Sequence, residues 1–168
     1  MKEMVSEGTV GVLYAVIEDC FEMNRWMDRA VSVLGVKFAM NNTSKLCHLG
    51  IAHYFPAFSD KVGELCLERY NITVEYGATP EGKQDYSSPK DIINQMNDKI
   101  IGFQEVLMGA VQTAQNNKDC HVYSDLIELL RQYNQIVEQT ILLVDKMELY
   151  KDDMASFDAH IKDNFWIL

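Results

Sequence analysis

One stretch of the sequence, residues 42–72, combines an apolar helical stripe with side chains that could bind a metal ion. Its apolar residues recur at steps of four, three, four and three, the spacing of one face of an α-helix: Ile51, Phe55, Phe58, Val62 and Leu65. At about 100° per residue, His53, Asp60 and Glu64 point to the opposite side of that helix. Imidazole and carboxylate groups suit iron and other first-row metals. This second face is therefore the candidate metal-binding surface.

The other titratable residues have simpler explanations. His48 lies near the apolar stripe of the same helix, where a lone histidine is most often a hydrogen-bonded packing residue. His121 and His160 are expected to be solvated or to cap helices. Glu18 and Glu22 share the outer side of the first helix, where we expect them to face water. The alternative is that they act as additional metal ligands. No Glu-x-x-His occurs, which argues against a di-iron centre inside one bundle.

Composition and charge limit the possible partners. The 168 residues fit one domain, residues 1–168. A net charge of −10 and an N-terminus with more glutamate than lysine argue against nucleic-acid binding, because phosphate binding needs clustered Lys and Arg. No run approaches the roughly 18 apolar residues of a membrane span, and no secretory segment is visible. The four isolated cysteines form neither a zinc motif nor a disulfide framework. We expect a cytoplasmic protein that binds neither nucleic acid nor membrane.

Four long helices follow from the apolar periodicity and its breaks. The predicted helices lie near residues 9–41, 44–74, 89–116 and 120–150. Thr43 or Ser44 is the expected N-cap of the second helix, and Ser88 with Pro89 opens the third. Pro56 should kink the second helix or loosen its hydrogen bonds. The tail holds apolar residues of a short fifth helix that would dock on the bundle: Phe157, Ile161, Phe165 and Trp166.

The connection between the second and third helices decides the topology. About 13–16 residues can extend roughly 45–55 Å, which matches a helix of about 30 residues. This connection could therefore run the length of the bundle and make the two helices parallel. One such crossover is the ferritin-like arrangement, and an up-down-up-down bundle is the alternative. We predict an all-α, ferritin-like four-helix bundle with a long crossover between helices 2 and 3 and a short C-terminal helix.

Three segments of the sequence resemble the motifs of one known protein family. Residues 67–69, Leu-Glu-Arg, and residues 76–82, Tyr-Gly-Ala-Thr-Pro-Glu-Gly, are similar to the family's A-E-R and L-G-G-x-P-x-G at the end of helix B. Residues 114–126 resemble the same family's helix C–D junction, A-x4-D-x2-T-x-D-L. On these segments the chain resembles the Dps-like branch of the ferritin superfamily. The resemblance implies a hollow dodecamer that oxidises ferrous iron, often with hydrogen peroxide, at a site between two subunits, and that stores ferric mineral.

The resemblance also implies which residues would bind iron. Matching the Leu-Glu-Arg segment places Glu64 and Glu68 on the family's paired carboxylates and His53 on its other helix-B ligand. The family's helix-A histidine then falls near Lys37, which is not a ligand. This alignment is the register that we prefer. In it, the family's site lacks one ligand.

A register shifted by one turn is the alternative. It would place Asp60 and Glu64 on the family's paired carboxylates and Leu49 on its other helix-B ligand. The family's helix-A histidine would then fall near Val33. Together the two registers give four candidate metal ligands: His53, Asp60, Glu64 and Glu68.

Two classes of function follow. The first is an iron-binding and iron-storing, Dps-like protein that oxidises ferrous iron between subunits. The second is a ferritin-fold oligomer that has lost this chemistry and acts as a structural or binding protein. In a lone chain Leu49, Ala57 and Leu67 would be exposed beside the candidate ligands, and exposed apolar patches usually mark contacts. We therefore expect a homo-oligomer built from two-fold dimers that pair the first two helices.

Overall fold

The computed structural model describes residues 4–82 and 85–164, and these residues form five helices and no strand. Helix α1 covers Glu7–Val36. Helix α2 runs over residues 41–70 through four consecutive stretches: Asn41–Cys47, His48–Ala52, Tyr54–Leu65 and Cys66–Tyr70. Helices α3, α4 and α5 cover Pro89–Asn116, Cys120–Leu149 and Met154–Asn164. All five predicted helices are confirmed, with ends that differ by a few residues. Within the described ranges, no helix is long and apolar enough to cross a membrane.

Contacts between α1 and α2 show that these two helices are antiparallel. The side chain of Asn24 donates a hydrogen bond to the carbonyl of Ala52 at 3.1 Å. Later in α1, the carbonyl of Val31 accepts from the hydroxyl of Ser44 at 2.7 Å. The contacts therefore move backwards along α2 as they move forwards along α1.

Contacts between α1 and α3 show the same antiparallel relation. Near the start of α1, the hydroxyl of Thr9 accepts from the side chain of Asn117 at 3.0 Å. Near its end, the Lys99 ammonium lies 5.2 Å from the ring centroid of Trp26. Because α2 and α3 are both antiparallel to α1, they are parallel to each other. The connection between α2 and α3, described over residues 71–82 and 85–88, is therefore the predicted crossover.

Pro56 changes the hydrogen bonding of α2. It has no N–H to donate to the carbonyl of Ala52, its partner in a regular α-helix. The Asn24 side chain of α1 supplies the missing donor. Just before, the N–H of His53 donates to the carbonyl of His48 at 3.1 Å, five residues back instead of four, so the helix widens into a π-helical turn. The expected loosening around Pro56 is thus confirmed, and α1 compensates for it.

The α3–α4 hairpin follows the heptad pattern of α3. The hydroxyl of Ser88 accepts from the N–H of Asp91 at 3.1 Å, and Pro89 is the first helical residue, which confirms the predicted helix start. Deep between the helices, the Tyr133 hydroxyl donates to the carbonyl of Ile100 at 2.7 Å. Seven apolar residues of α3 at heptad spacing are buried: Ile93, Met96, Ile100, Phe103, Leu107, Ala110 and Ala114.

Helix α5 caps the start of α2. The prediction that Thr43 or Ser44 is the N-cap is wrong, because α2 already begins at Asn41 and Met40 occupies the cap position without a side-chain hydrogen bond. Instead the buried carboxylate of Asp158 on α5 accepts from the N–H and the hydroxyl of Thr43, both at 2.7 Å. A carboxylate at a helix N-terminus is stabilised by the unpaired N–H groups there.

The tail docks through its apolar residues as predicted. Phe157 and Ile161 are almost completely buried. Phe165 and Trp166 lie outside the described residues, as do residues 1–3 of the N-terminal segment that lacks a basic arm.

Two further aspartates join helix ends. The carboxylate of Asp119, at the start of α4, accepts from the N–H of Ser6 at 3.2 Å. Asp125 accepts from the Tyr70 hydroxyl and from the Arg69 guanidinium, both at 2.7 Å. Burial, followed by the hydrogen bond to Asp125, raises the pKa of Tyr70. The start of α1 and the end of α2 are therefore both attached to α4.

The contact that compensates for Pro56 can be tested by substitution. Asn24→Ala leaves the Ala52 carbonyl without this donor, and we expect the free energy of unfolding to fall by about 1–3 kcal/mol. In a Pro56→Ala background the backbone N–H is restored, so the same Asn24→Ala change should cost clearly less. Denaturant unfolding of the four variants measures both values. Equal costs in the two backgrounds would contradict the compensation.

The docking of α5 can be tested in the same way. Asp158→Ala removes the acceptor for both Thr43 donors, and we expect a loss of about 1–3 kcal/mol, together with faster proteolysis of the tail. Asp152→Ala is the matched control, because Asp152 is exposed in the turn before α5. Equal stability and equal proteolysis rates for the two variants would show that the Asp158 contact does not hold the tail.

Candidate metal-binding face of the second helix

The four predicted ligands, His53, Asp60, Glu64 and Glu68, all lie exposed on the outer side of α2. The rise of about 1.5 Å per residue separates His53 from Asp60 by roughly 10 Å along the helix. A metal ion held at ligand distances of about 2 Å cannot span this gap. Within one chain the face therefore has two separate parts. The carboxylate part consists of Asp60, Glu64 and Glu68, and the imidazole part is His53.

Asp60 and Glu64 line an open cavity of about 480 Å³ between α2 and the crossover. Leu67 of α2 and Tyr76 of the crossover contribute to its walls. A Cβ atom placed on Gly63 would lie 3.9 Å from the Tyr76 hydroxyl, so this phenol lies over the exposed side of α2. The two carboxylates thus share a partly covered space with a phenol. Carboxylates are the main iron ligands of di-iron carboxylate bundles.

The outer wall of this cavity is fixed by α1. The Tyr14 hydroxyl donates to the carbonyl of Thr73, and the Arg25 guanidinium donates to the carbonyl of Thr79 at 2.9 Å. A Cβ atom at Gly82 would lie 2.9 Å from the Arg25 carbonyl oxygen. A larger residue would force the two backbones apart there, so the glycine allows the crossover to lie against α1.

Exposed apolar side chains lie beside the candidate ligands, as expected from the sequence. Leu49 and Leu67 are 57% and 74% exposed in the single chain, and Ala57 is exposed between them. Such a mixture of apolar and ligand-type residues is typical of a contact surface. A second exposed apolar group lies towards the end of α4: Ile141, Leu142 and Leu149.

The acidic residues of α1 do not join Asp60 and Glu64 within the chain. Glu18 packs against the crossover, because its Oε1 would lie only 2.8 Å from a Cβ atom at Gly77. Glu22 lines a different cavity, of about 350 Å³, between α1 and α3. There, burial and then the charges of Glu22 and Glu18 raise the pKa of Asp19. Glu18 and Glu22 could complete the α2 site only across a subunit contact.

His48 is not the packed core residue that its position predicts. Its side chain is 43% exposed, and its Nδ1 lies 3.4 Å from Oδ1 of Asp28 on α1. The ring centroids of His48 and His53 are 4.3 Å apart. Helical periodicity does not predict this cluster, because a regular α-helix separates two positions five residues apart by about 140°. His121 and His160 are exposed, as expected.

Aromatic side chains fill the inside of the bundle. The polar groups beside these rings include the hydroxyls of Tyr54 and Tyr133 and the thiol of Cys20. Burial raises the pKa of Tyr54 to about 12 and also raises the pKa values of Tyr133 and Cys20. All three groups are therefore protonated near neutral pH. The packed rings lie with neighbouring centroids 5.1–6.4 Å apart: Tyr54, Phe55, Phe58, Phe103 and Tyr133.

This interior does not suit a di-iron centre. Ligands bind metals in their deprotonated forms, and such centres use inward-pointing glutamates and histidines. Glu105, the one glutamate of α3, is exposed. Across residues 4–82 and 85–164, no three His, Cys, Asp or Glu side chains converge on a point that could hold a metal ion.

Comparisons with known proteins identify the fold. No protein-family model matches the chain, and no curated protein sequence matches it. Among solved structures, the open pore ferritin from the hyperthermophilic archaeon Archaeoglobus fulgidus is similar over 96% of this chain and 97% of its own, with a TM-score of 0.86 and 16% identity. An engineered closed form of the Archaeoglobus fulgidus ferritin gives a TM-score of 0.84 at 18% identity, covering 95% of each chain. A humanized archaeal ferritin gives 0.83 at 15%, covering 95% of this chain and 94% of its own.

These similarities confirm the predicted ferritin-like fold. At such low identities they concern the fold alone. The assignment to the Dps-like branch stays a prediction.

The closed interior predicts how the cysteines react. Cys20, Cys47 and Cys66 are buried and Cys120 is exposed. Burial raises the pKa of Cys47 to about 12 and that of Cys66 to about 11, and the thiolate is the reactive form. Near neutral pH we expect a thiol reagent to modify Cys120 rapidly and the other three only on unfolding. Mass spectrometry of the labelled protein, with Cys120→Ser as control, measures this. A second rapidly modified thiol would show that the interior is open.

Proposed function

We propose that the chain is the subunit of a ferritin-like homo-oligomer that binds and stores iron, with its iron-binding carboxylates on the outer face of α2. The observation that carries this proposal is the pair Asp60 and Glu64, one helical turn apart, lining an open cavity beside Tyr76. The archaeal ferritin fold over almost the whole chain supports it. The aromatic interior leaves this outer face as the place where iron would bind.

The electrostatics of this face favour a cation. Asp60 and Glu64 carry negative charge in a chain whose net charge is −10, and such a field raises the local concentration of cations. Glu68 lies one turn beyond Glu64 and offers a further carboxylate. Ferrous iron is here the cargo, bound first by these oxygens. His53 occupies the separate imidazole part of the same face.

A two-fold dimer through α1 and α2 would complete this site. Leu49 and Leu67 would be buried in such a contact. An antiparallel arrangement would bring the imidazole part of one α2 beside the carboxylate part of the other, and so would place His53 near Asp60 or Glu64 of a second copy. Closed symmetric assemblies are the usual outcome of such contacts. The dodecamer of the Dps-like branch is the specific form of this proposal.

Oxidation of the bound iron belongs to the same proposal. Two ferrous ions held at the seam, which is the proposed dimer contact through α1 and α2, would each give one electron to hydrogen peroxide from solution. With two protons, the peroxide would be converted to two water molecules, leaving two ferric ions for storage. The carboxylates hold the ions during this exchange of electrons.

We place the protein in the cytoplasm, because the described cysteines are all free thiols and a reducing compartment keeps them so.

A second candidate function is a ferritin-fold oligomer without iron chemistry. One observation favours this candidate: among the described residues, no three ligand-type side chains converge on a point that could hold a metal ion. In this case the exposed strip on α2 would serve assembly alone. Iron binding separates the two candidates.

The iron proposal is tested with Asp60→Asn combined with Glu64→Gln. We expect the amount of ferrous iron bound per chain, measured without oxygen by elemental analysis, to fall at least about tenfold, since even ligand-supporting residues affect metal affinity about 10–100-fold. His53→Ala should reduce iron oxidation, followed by absorbance, in the assembled protein. The control is Glu105→Gln on the exposed side of α3. Equal iron binding in wild type and the double variant would rule out the carboxylate site, and no iron binding by wild type would favour the second candidate.

The subunit contact is tested separately. Leu67→Glu places a charge in the proposed seam, and we expect it to shift the assembly towards smaller species in native mass spectrometry. Lys61→Glu, also exposed on α2 but outside the apolar strip, tests whether added charge alone has this effect. A wild-type protein that stays monomeric at high concentration would rule out the seam.

A further inference from the structure

The π-helical turn of α2 places two imidazoles on the same side of the helix. In a regular α-helix, positions five residues apart point about 140° away from each other. Here the N–H of His53 bonds to the carbonyl of His48 at 3.1 Å, and the wider turn brings the two ring centroids to 4.3 Å, nearly edge to face. Such π-helical insertions occur frequently at functional sites. The turn thus creates a pair of nitrogen donors that helical periodicity would not predict.

Asp28 of α1 adds a carboxylate to this pair. Its Oδ1 lies 3.4 Å from Nδ1 of His48, yet this oxygen is buried and accepts no hydrogen bond. Its other oxygen accepts from the Asn24 side chain at 3.3 Å, and the same side chain donates to the Ala52 carbonyl freed by Pro56. A buried carboxylate oxygen without a donor is costly. A cation beside it would remove that cost.

Space for further ligands lies next to this group. A cavity of about 350 Å³ is lined by Asp28 and His48 together with Ser44 and Lys45. His48 is 43% exposed and Asp28 is 47% exposed, and His53 is exposed as well. The two imidazole rings can therefore rotate at little cost, and water could fill the remaining coordination positions.

We propose that Asp28, His48 and His53 form a binding site for one divalent first-row transition ion. In the present side-chain positions the three groups do not yet converge, and rotation of the two exposed rings would aim their nitrogens at an ion beside Oδ1 of Asp28. Two imidazoles and one carboxylate select borderline ions such as Zn²⁺ over Mg²⁺ and Ca²⁺. This set of ligands differs from the all-oxygen pair of Asp60 and Glu64. His53 is shared with the proposed contact between subunits, but Asp28 and His48 take no part in the iron proposal, so this site does not require the iron function.

Zinc titration of the purified protein tests this site. With a competing chromophoric chelator, we expect wild type to bind one Zn²⁺ per chain at this site, and His48→Ala, His53→Ala and Asp28→Asn each to weaken binding at least about tenfold. His121→Ala, which removes an exposed histidine on α4, should leave the affinity unchanged. The Asp60→Asn and Glu64→Gln double variant should also keep it, so failure of the iron site and failure of this site give different results.

A measurement on wild type alone avoids any effect of the substitutions on folding. X-ray absorption of the zinc-loaded protein should show two imidazole nitrogens bound to the metal. Oxygen ligands without imidazole would overturn the proposal. Equal zinc affinity of wild type and the His48→Ala, His53→Ala double variant would overturn it as well.

Discussion

The absence of one backbone donor at Pro56 organises much of this molecule. The Ala52 carbonyl lies where α2 packs against α1, so leaving it unpaired would be costly, and Asn24 of α1 supplies the donor. The turn before the proline widens, and Phe55 and Phe58 on the buried side of the helix lie in the core. The same π-helical turn rearranges the outer face of α2, because it brings His48 beside His53 there. One local defect thereby couples helix packing to the distribution of ligand-type residues.

The packing of the interior explains why any metal chemistry would lie outside the bundle. Aromatic rings give a dense, apolar core, and the few heteroatoms within it stay protonated because burial disfavours their charged forms. The Tyr133 hydroxyl, for example, donates to the Ile100 carbonyl. This core stabilises the fold without offering ligands. The carboxylates of α2 are free to face solvent or a second subunit, since they contribute nothing to that core.

Aspartates at the helix ends determine how the outer elements lie on this core. Asp158 attaches α5 to the start of α2, Asp119 attaches α4 to the start of α1, and Asp125 holds the end of α2. The crossover leaves α2 at this last point and is then held along α1 by Tyr14 and Arg25. Its path encloses the cavity that Asp60 and Glu64 line. The candidate iron site therefore depends on contacts far from it in sequence.

The sequence by itself determined the helices, their buried faces, the start of α3 and the long crossover, because apolar periodicity and helix-capping residues act over a few residues. It also placed Asp60 and Glu64 on the outer face of α2. Only the tertiary structure decided that Asp158 rather than Thr43 or Ser44 caps α2, since that bond joins residues more than a hundred positions apart. It also decided that His48 lies beside His53 and Asp28. A π-helical turn departs from the regular helical period, and the donor that accommodates it comes from another helix.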